Sequence, residues 1–281
     1  MNDFPSELTG GISRQYDLFQ TSLESLEKQR KYLNYGYTVT GRESYEERQE
    51  RLCLEVFRAA ELNANDVVVD VGFGSGEQDF LLAGNFAFAT LTGFNIAPRQ
   101  VQYASARAAQ EGLDAKLAFR LGEAEVLPGV ERGSVDRVMA IECAFYFDRP
   151  RFYRRAAEVL RAGGLLVLAD IAFADRARFL ARREDLRRVG TRAGNRSEWE
   201  KYFRTRSLVP IHKQARPGAQ MTVFQILKTL PRARMSWGER AEWLKMAFYS
   251  QLVALGLATG LLHYDLIVLE KSRTADPTPS S

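Results

Sequence analysis

The chain has 281 residues, 46% of them apolar and 26% charged, which excludes both a disulfide miniprotein and wholesale disorder. Its formal net charge is only +4, and the basicity is local, with eleven Lys/Arg against five Asp/Glu between Asp175 and Arg206. A nucleic-acid binder is more often basic throughout or built on a recognised module, so no nucleic-acid partner is expected.

Met1 to Arg14 has early acids and no apolar core, unlike a signal peptide, and the cytoplasm is the expected compartment. Residues 1–20 and the tail from Ser272 read as loosely ordered. Between Ser44 and Ala60 apolar residues recur at helical spacing among Glu and Arg, which predicts an amphipathic helix. Asp66 to Val71 (DVVVDV) is a short β-branched run ending in glycines, the pattern of a strand buried on both faces. A helix over Gln78–Asn85, a strand over Ala89–Asn95 and a helix from Pro98 to Ala109 follow. Strands are then predicted at Leu117–Leu121 and Val135–Ile141, and a helix at Arg151–Leu160 that Arg161-Ala-Gly-Gly closes with a left-handed glycine. Leu165–Ile171 is a fifth strand and Leu261–Glu270 a last one. Strands alternating with helices predict an α/β fold, a doubly wound and mostly parallel sheet. Met246–Tyr264 reads as a buried helix and a turn, too polar for an integral membrane span.

The segment Val69-Asp-Val-Gly-Phe-Gly-Ser-Gly-Glu-Gln78 leaves the first strand and opens a helix. Glycines there let a ligand approach the backbone, and the helix start offers unpaired N–H groups. That is a nucleotide-type site at the carboxyl edge of an open sheet. The glycines fall as G-x-G-x-G, not as the G-x-G-x-x-G of a nicotinamide site.

Taken with the motifs that follow, Leu62 to Ile171 resembles the class I S-adenosylmethionine-dependent methyltransferases. VVDVGFGSG, TGFNIAPRQV, RLGEAEVLP, SVDRVMAIECAFYF and VLRAGGLLVLADI appear in the family's order. The wording GFGSGEQDF and the upstream YLNYGY are similar to O-methyltransferases that tailor polyketides and macrolides. The resemblance implies S-adenosyl-L-methionine as cofactor and a Rossmann-like core. It places Gly72, Gly74 and Gly76 along the methionine and ribose, Asp70 near the methionine end, Asn95 and Gln100 at the ribose, and Glu123 and Ala124 at the adenine. Tyr37, in a cluster with Tyr32 and Tyr35, is expected to close over the cofactor.

Methyl transfer from a sulfonium is an in-line displacement, so alignment supplies most of the acceleration, and a base matters when the acceptor is a hydroxyl. Glu142 ends the fourth strand, and Tyr146 stands where many relatives carry a histidine. These two, with His263 at the entry to the last strand, are the candidate catalytic residues; no metal is expected. Cys53 and Cys143 give neither a disulfide framework nor a cysteine metal site.

The expected organisation is an N-terminal helical lid or cap over 1–60, a cofactor-binding core over 61–172, a helical acceptor-binding insertion over 173–260, a final core strand over 261–271 and a disordered tail over 272–281. Trp199, Tyr202, Phe203, Phe224, Trp237, Trp243, Phe248 and Tyr249 make that insertion aromatic, which suits a large apolar acceptor, and most of its arginines read as a solvated face. The leading reading is O-methylation of a hydrophobic, polyketide-like small molecule, with a homodimer allowed. C-methylation of an isoprenyl diphosphate or unsaturated lipid, with Glu142 as general base, is the alternative. A cofactor-binding protein without catalysis is a third reading.

Overall fold

Strand β1 (Val67–Val71) reads Val-Val-Val-Asp-Val and is buried from Val68 onward, as a central strand covered on both faces must be. It pairs in parallel with β2 (Thr90–Asn95) on one side and β4 (Val135–Ile141) on the other. Beyond these lie β3 (Leu117–Leu121) and β5 (Leu160–Phe173), again parallel. The sheet is completed by β6 (Phe203–Pro210) and β7 (Leu262–Lys271), in the order β3-β2-β1-β4-β5-β7-β6, with β7 antiparallel to both neighbours. The computed structural model that gives this fold describes residues 10–17, 32–184, 186–215 and 236–272. The tail beyond Ser272 and residues 1–9 lie outside the described residues.

Helices flank both faces. On one side, α2 (Tyr45–Ala59), α3 (Glu77–Asn85) and α4 (Pro98–Gln110) contribute to a single apolar cluster. On the other, α5 (Arg149–Val159) and α6 (Arg192–Trp199) pack a second. Helix α2 starts at a capping box, Ser44 accepting from the Glu47 N–H while the Glu47 carboxylate accepts from the Ser44 N–H. Its Leu52, Val56 and Phe57 are fully buried. Each such side chain stabilises the fold by about 1.5–3 kcal/mol. Residues 10–17 form a short helix, α1, that docks on the start of α4: Asp17 Oδ1 accepts from the Arg99 N–H at 3.0 Å, and Ser13 donates to the Ile96 carbonyl at 2.7 Å.

The structure departs from the sequence reading in three places. Gly163 and Gly164 do not cap a helix, because α5 ends at Val159 and Leu160 is already extended and paired with Val135. A Cβ on Gly164 would lie 3.0 Å from the carbonyls of Arg161 and Asp136, so this glycine permits close backbone approach beside a register shift in the β4–β5 ladder. The insertion after β5 is not wholly helical: it contributes β6 at the edge of the sheet. That strand was hidden because Arg204 and Arg206 break its apolar pattern; both reach out to carboxylates, Arg204 to Glu270 and Arg206 to Glu61. Finally, α7 (Trp237–Ala258) is not a buried helix, since Phe248, Tyr249, Leu252 and Leu255 are exposed. Among the described residues no helix is long and apolar enough to cross a membrane.

Strand order reverses between β1 and β4. In an open α/β sheet that reversal opens a crevice at the carboxyl ends of the two strands. Gly72 follows β1 there and Glu142 follows β4.

Candidate functional site

The chain turns out of β1 through three left-handed glycines, Gly72 (φ +71°), Gly74 (φ +61°) and Gly76 (φ +82°). They have different neighbours. A Cβ on Gly72 would meet Cys143 at 2.7 Å, and one on Gly76 would meet Ala104 at 3.0 Å, so both are packed against protein. A Cβ on Gly74 would meet nothing within 4 Å. Gly74 therefore faces open space, and that space is a cleft of about 1000 Å³, counting its mouth.

Gly72, Gly74, Asn95, Gln100, Glu123, Ala124, Glu142 and Tyr146, all expected from the sequence, line the cleft. Asn95 and Gln100 meet: the Asn95 amide donates to Gln100 Oε1 at 2.8 Å and to the Gly74 carbonyl at 3.3 Å, while Asn95 Oδ1 accepts from the Ala97 N–H. Asn95 thus organises the turn. Gln100 Nε2 is buried without a partner among the described residues, and it is the donor this corner leaves for a ligand.

At the opposite wall Glu142 sits in a left-handed conformation (φ +52°) that is uncommon for a residue with a side chain. Its Oε1 accepts from the Tyr35 N–H at 2.8 Å and from the Tyr264 hydroxyl. Burial pushes the carboxyl up to about 8, against the opposing pull of those two hydrogen bonds. Tyr146 lies beside it on a short 3₁₀ turn, Ala144–Tyr146. The Tyr16 hydroxyl of α1 donates to the Tyr146 hydroxyl at 3.1 Å, which leaves the Tyr146 proton free to be given to a ligand. Burial raises Tyr146 too, which favours its protonated hydroxyl.

Arg188 is the residue the insertion brings to the cleft among the described residues. Its guanidinium donates to the Tyr146 carbonyl at 2.6 Å. Its own carbonyl accepts from Arg149, a buried cation paired at 2.5 Å with buried Asp170.

Other expected residues are elsewhere. Asp70 is fully buried behind the glycine turn and does not line the cleft; nor does Gly76. Tyr37 is tied by its backbone N–H to the Arg48 carbonyl, and of its cluster Tyr32 lines the cleft while Tyr35 supplies its N–H to Glu142. His263 is off the site because strand neighbours alternate between faces: Tyr264 points to Glu142, and His263 points to Arg192 and Asp265, with burial holding it below its usual value. Among the described residues, the aromatics of the insertion do not line the cleft either. Trp199 and Phe203 are in the second apolar cluster, Trp237, Phe248 and Tyr249 are exposed, and Phe224 and the side chain of Trp243 lie outside the described residues. Sequence reasoning missed Tyr16, Gln78, Arg188 and Tyr264. Only Tyr264 had a signal, as the neighbour of His263 on an alternating strand.

Comparison with known proteins fits this geometry. A family model described as a methyltransferase domain matches residues 69–168. The erythromycin 3''-O-methyltransferase of Saccharopolyspora erythraea is 37% identical over 158 residues, 56% of this chain and 51% of that protein. The 27-O-demethylrifamycin SV methyltransferase of Amycolatopsis mediterranei is 33% identical over 160 residues, 57% of each chain. The match thus spans about half the length of these curated relatives. The solved cyclopropane synthase MmaA2 of Mycobacterium tuberculosis superposes with a TM-score of 0.79 at 15% identity, over 96% of this chain and 100% of that one. A cleft built on β1 and β4, a matched domain and a shared sheet agree: residues 69–168 match a methyltransferase domain, and the chain has a Rossmann-like class I methyltransferase fold.

Proposed function

We propose that the chain is an S-adenosyl-L-methionine-dependent methyltransferase acting on a hydroxyl of a hydrophobic, polyketide-like small molecule. The observation that carries this reading is Glu142, a buried carboxyl held at the cleft with its ionisation brought near neutrality, facing the glycine turn across the crevice. The residues present fit the cofactor. Gly74 offers a backbone surface without a Cβ beside open space, and Gln100 offers a buried, unmatched amide donor suited to a ribose hydroxyl. Glu123 and Ala124 line the same cleft, where an adenine edge would lie.

When bound, the cofactor supplies an electrophilic methyl group on sulfur. The chain positions and deprotonates the acceptor. Ionised Glu142 takes the hydroxyl proton, which contributes about 10²–10⁴-fold where the acceptor is a hydroxyl. Tyr146 donates to an oxygen of the acceptor and fixes its orientation, and the Tyr16 hydroxyl holds Tyr146 in that pose. Tyr16, Tyr146 and Phe147 give the acceptor end of the cleft its apolar walls.

The test is incubation with cofactor labelled with carbon-13 at the methyl group and 27-O-demethylrifamycin SV or a hydroxylated macrolide as acceptor. A labelled methoxy signal supports the reading. Label in an aliphatic position moves it to C-methylation, with Glu142 removing a proton from a carbocation. Absence of demethylated cofactor with every acceptor counts against catalysis.

A further inference from the structure

Behind the glycine turn lies a second acidic feature. Asp70, on β1, and Asp79, on α3, are both fully buried. Asp70 Oδ2 accepts from the Gln78 amide Nε2. Asp70 Oδ1 and both oxygens of Asp79 have no N–H or O–H donor among the described residues. Burial raises both carboxyls. The Gln78 amide supports the charge of Asp70, a support that Asp79 lacks among the described residues. Burial and the neighbouring Asp70 charge both raise Asp79.

This arrangement fixes an amide that could otherwise face either way. An ionised Asp70 accepts only, so Gln78 must turn its NH₂ inward. Gln78 itself lines the cleft, next to Gly74 and Ser75. Its outward end is then the carbonyl oxygen, a pure acceptor on a buried negative charge. Acceptors of that kind recognise cations with N–H groups.

We infer that buried Asp70 locks Gln78 with its carbonyl oxygen facing the cleft, making Gln78 the acceptor for the α-ammonium group of the cofactor's amino-acid tail. This rests on the cofactor reading given above and assigns a residue the glycine motif does not include. Asp70 acts through Gln78 and does not touch the ligand.

The test is isothermal titration of the full chain with S-adenosylhomocysteine and with its analogue carrying hydrogen in place of the α-amino group. Gln78→Leu weakens S-adenosylhomocysteine binding by about tenfold or more, the scale of one charge-assisted hydrogen bond, and leaves the deaminated analogue unchanged. Asp79→Asn leaves the Gln78–Asp70 bond in place and retains the wild-type preference. Asp70→Asn lets Gln78 turn over and erases it. Equal weakening of both ligands by Gln78→Leu, or no weakening, overturns the inference while leaving the cofactor reading intact. A wild-type chain that binds neither S-adenosylhomocysteine nor S-adenosylmethionine overturns both. Thermal unfolding of each variant checks that the fold is kept.

Discussion

Tyr264 donates its hydroxyl to Glu142 across 122 residues of sequence, on the same oxygen that the Tyr35 N–H reaches from another side. Both bonds favour the ionised carboxyl, and burial opposes them and wins, leaving the group near 8 instead of 4.5. As a base Glu142 works only when ionised, so kcat/KM rises with pH through about 8 and levels above it. Tyr264→Phe removes one supporting donor. The limb then moves to higher pH, and activity at neutral pH falls by about tenfold or more, the scale of one hydrogen bond to a carboxylate. Glu142→Gln abolishes the limb and leaves cofactor affinity nearly unchanged. A pH–rate profile of the three proteins decides it.

The same shift has a stability consequence of fixed sign. A carboxyl raised from 4.5 to about 8 contributes stability that is complete below 4.5 and lost as pH rises through 8. Glu142→Gln, which cannot ionise, therefore gains in Tm relative to wild type as the buffer is taken from acid to alkaline. Thermal unfolding over that range checks the trend.

The central strands and the glycine turn were legible in the sequence because each is a local pattern, a β-branched run and a spacing of glycines; Asn95 and Gln100 came from the family resemblance. Tyr264 was not legible, because its meeting with Glu142 depends on β7 lying antiparallel to β5, a pairing no short window contains. His263 stood out by residue type, yet strand alternation points it to the wrong face. The aromatics of the insertion misled for another reason. Composition does not separate a ring in a cavity wall from a ring in a core, and Trp199 packs edge-on against Tyr153 in the core. Residues 10–17 bring Tyr16 to the cleft by docking on the N-terminus of α4, a long-range event again.

The turn glycines separate binding from folding. Gly74→Ala places a methyl in the ligand's space at a left-handed position, so S-adenosylhomocysteine binding is lost while stability falls by about 1–2 kcal/mol. Gly76→Ala sets its Cβ 3.0 Å from Ala104 at φ +82° and costs more stability than that. Titration and denaturant unfolding of both variants show opposite rankings.

Arg149 and Asp170 form a buried pair that also anchors the Arg188 carbonyl beside the cleft. Arg149→Met strands the Asp170 charge and costs about 3–5 kcal/mol. The double change to Arg149→Met with Asp170→Leu recovers most of it, because an apolar pair no longer buries an unpaired charge. Urea unfolding gives both values. In the double variant the Arg188 turn still lacks its anchor, so KM for the acceptor stays raised when stability returns.

Asn95 and Gln100 lie side by side but do different work. Asn95 satisfies the Ala97 N–H, the Gly74 carbonyl and Gln100 Oε1, so Asn95→Ala leaves three groups without their partner. Each buried orphan costs about 1–3 kcal/mol, and the turn that shapes the cleft loosens, so Tm and cofactor affinity fall together. Gln100 Nε2 has no partner to lose. Gln100→Leu removes that orphaned donor but also the Oε1 that accepts from Asn95, so its Tm falls by less than that of Asn95→Ala, while S-adenosylhomocysteine affinity drops by about tenfold through the missing ribose contact. Thermal unfolding and titration of the two variants separate the roles. Loss of Tm in Gln100→Leu without loss of affinity would make Gln100 a core amide, and would leave the ribose end of the cleft to Asn95 Oδ1, the acceptor with a second lone pair.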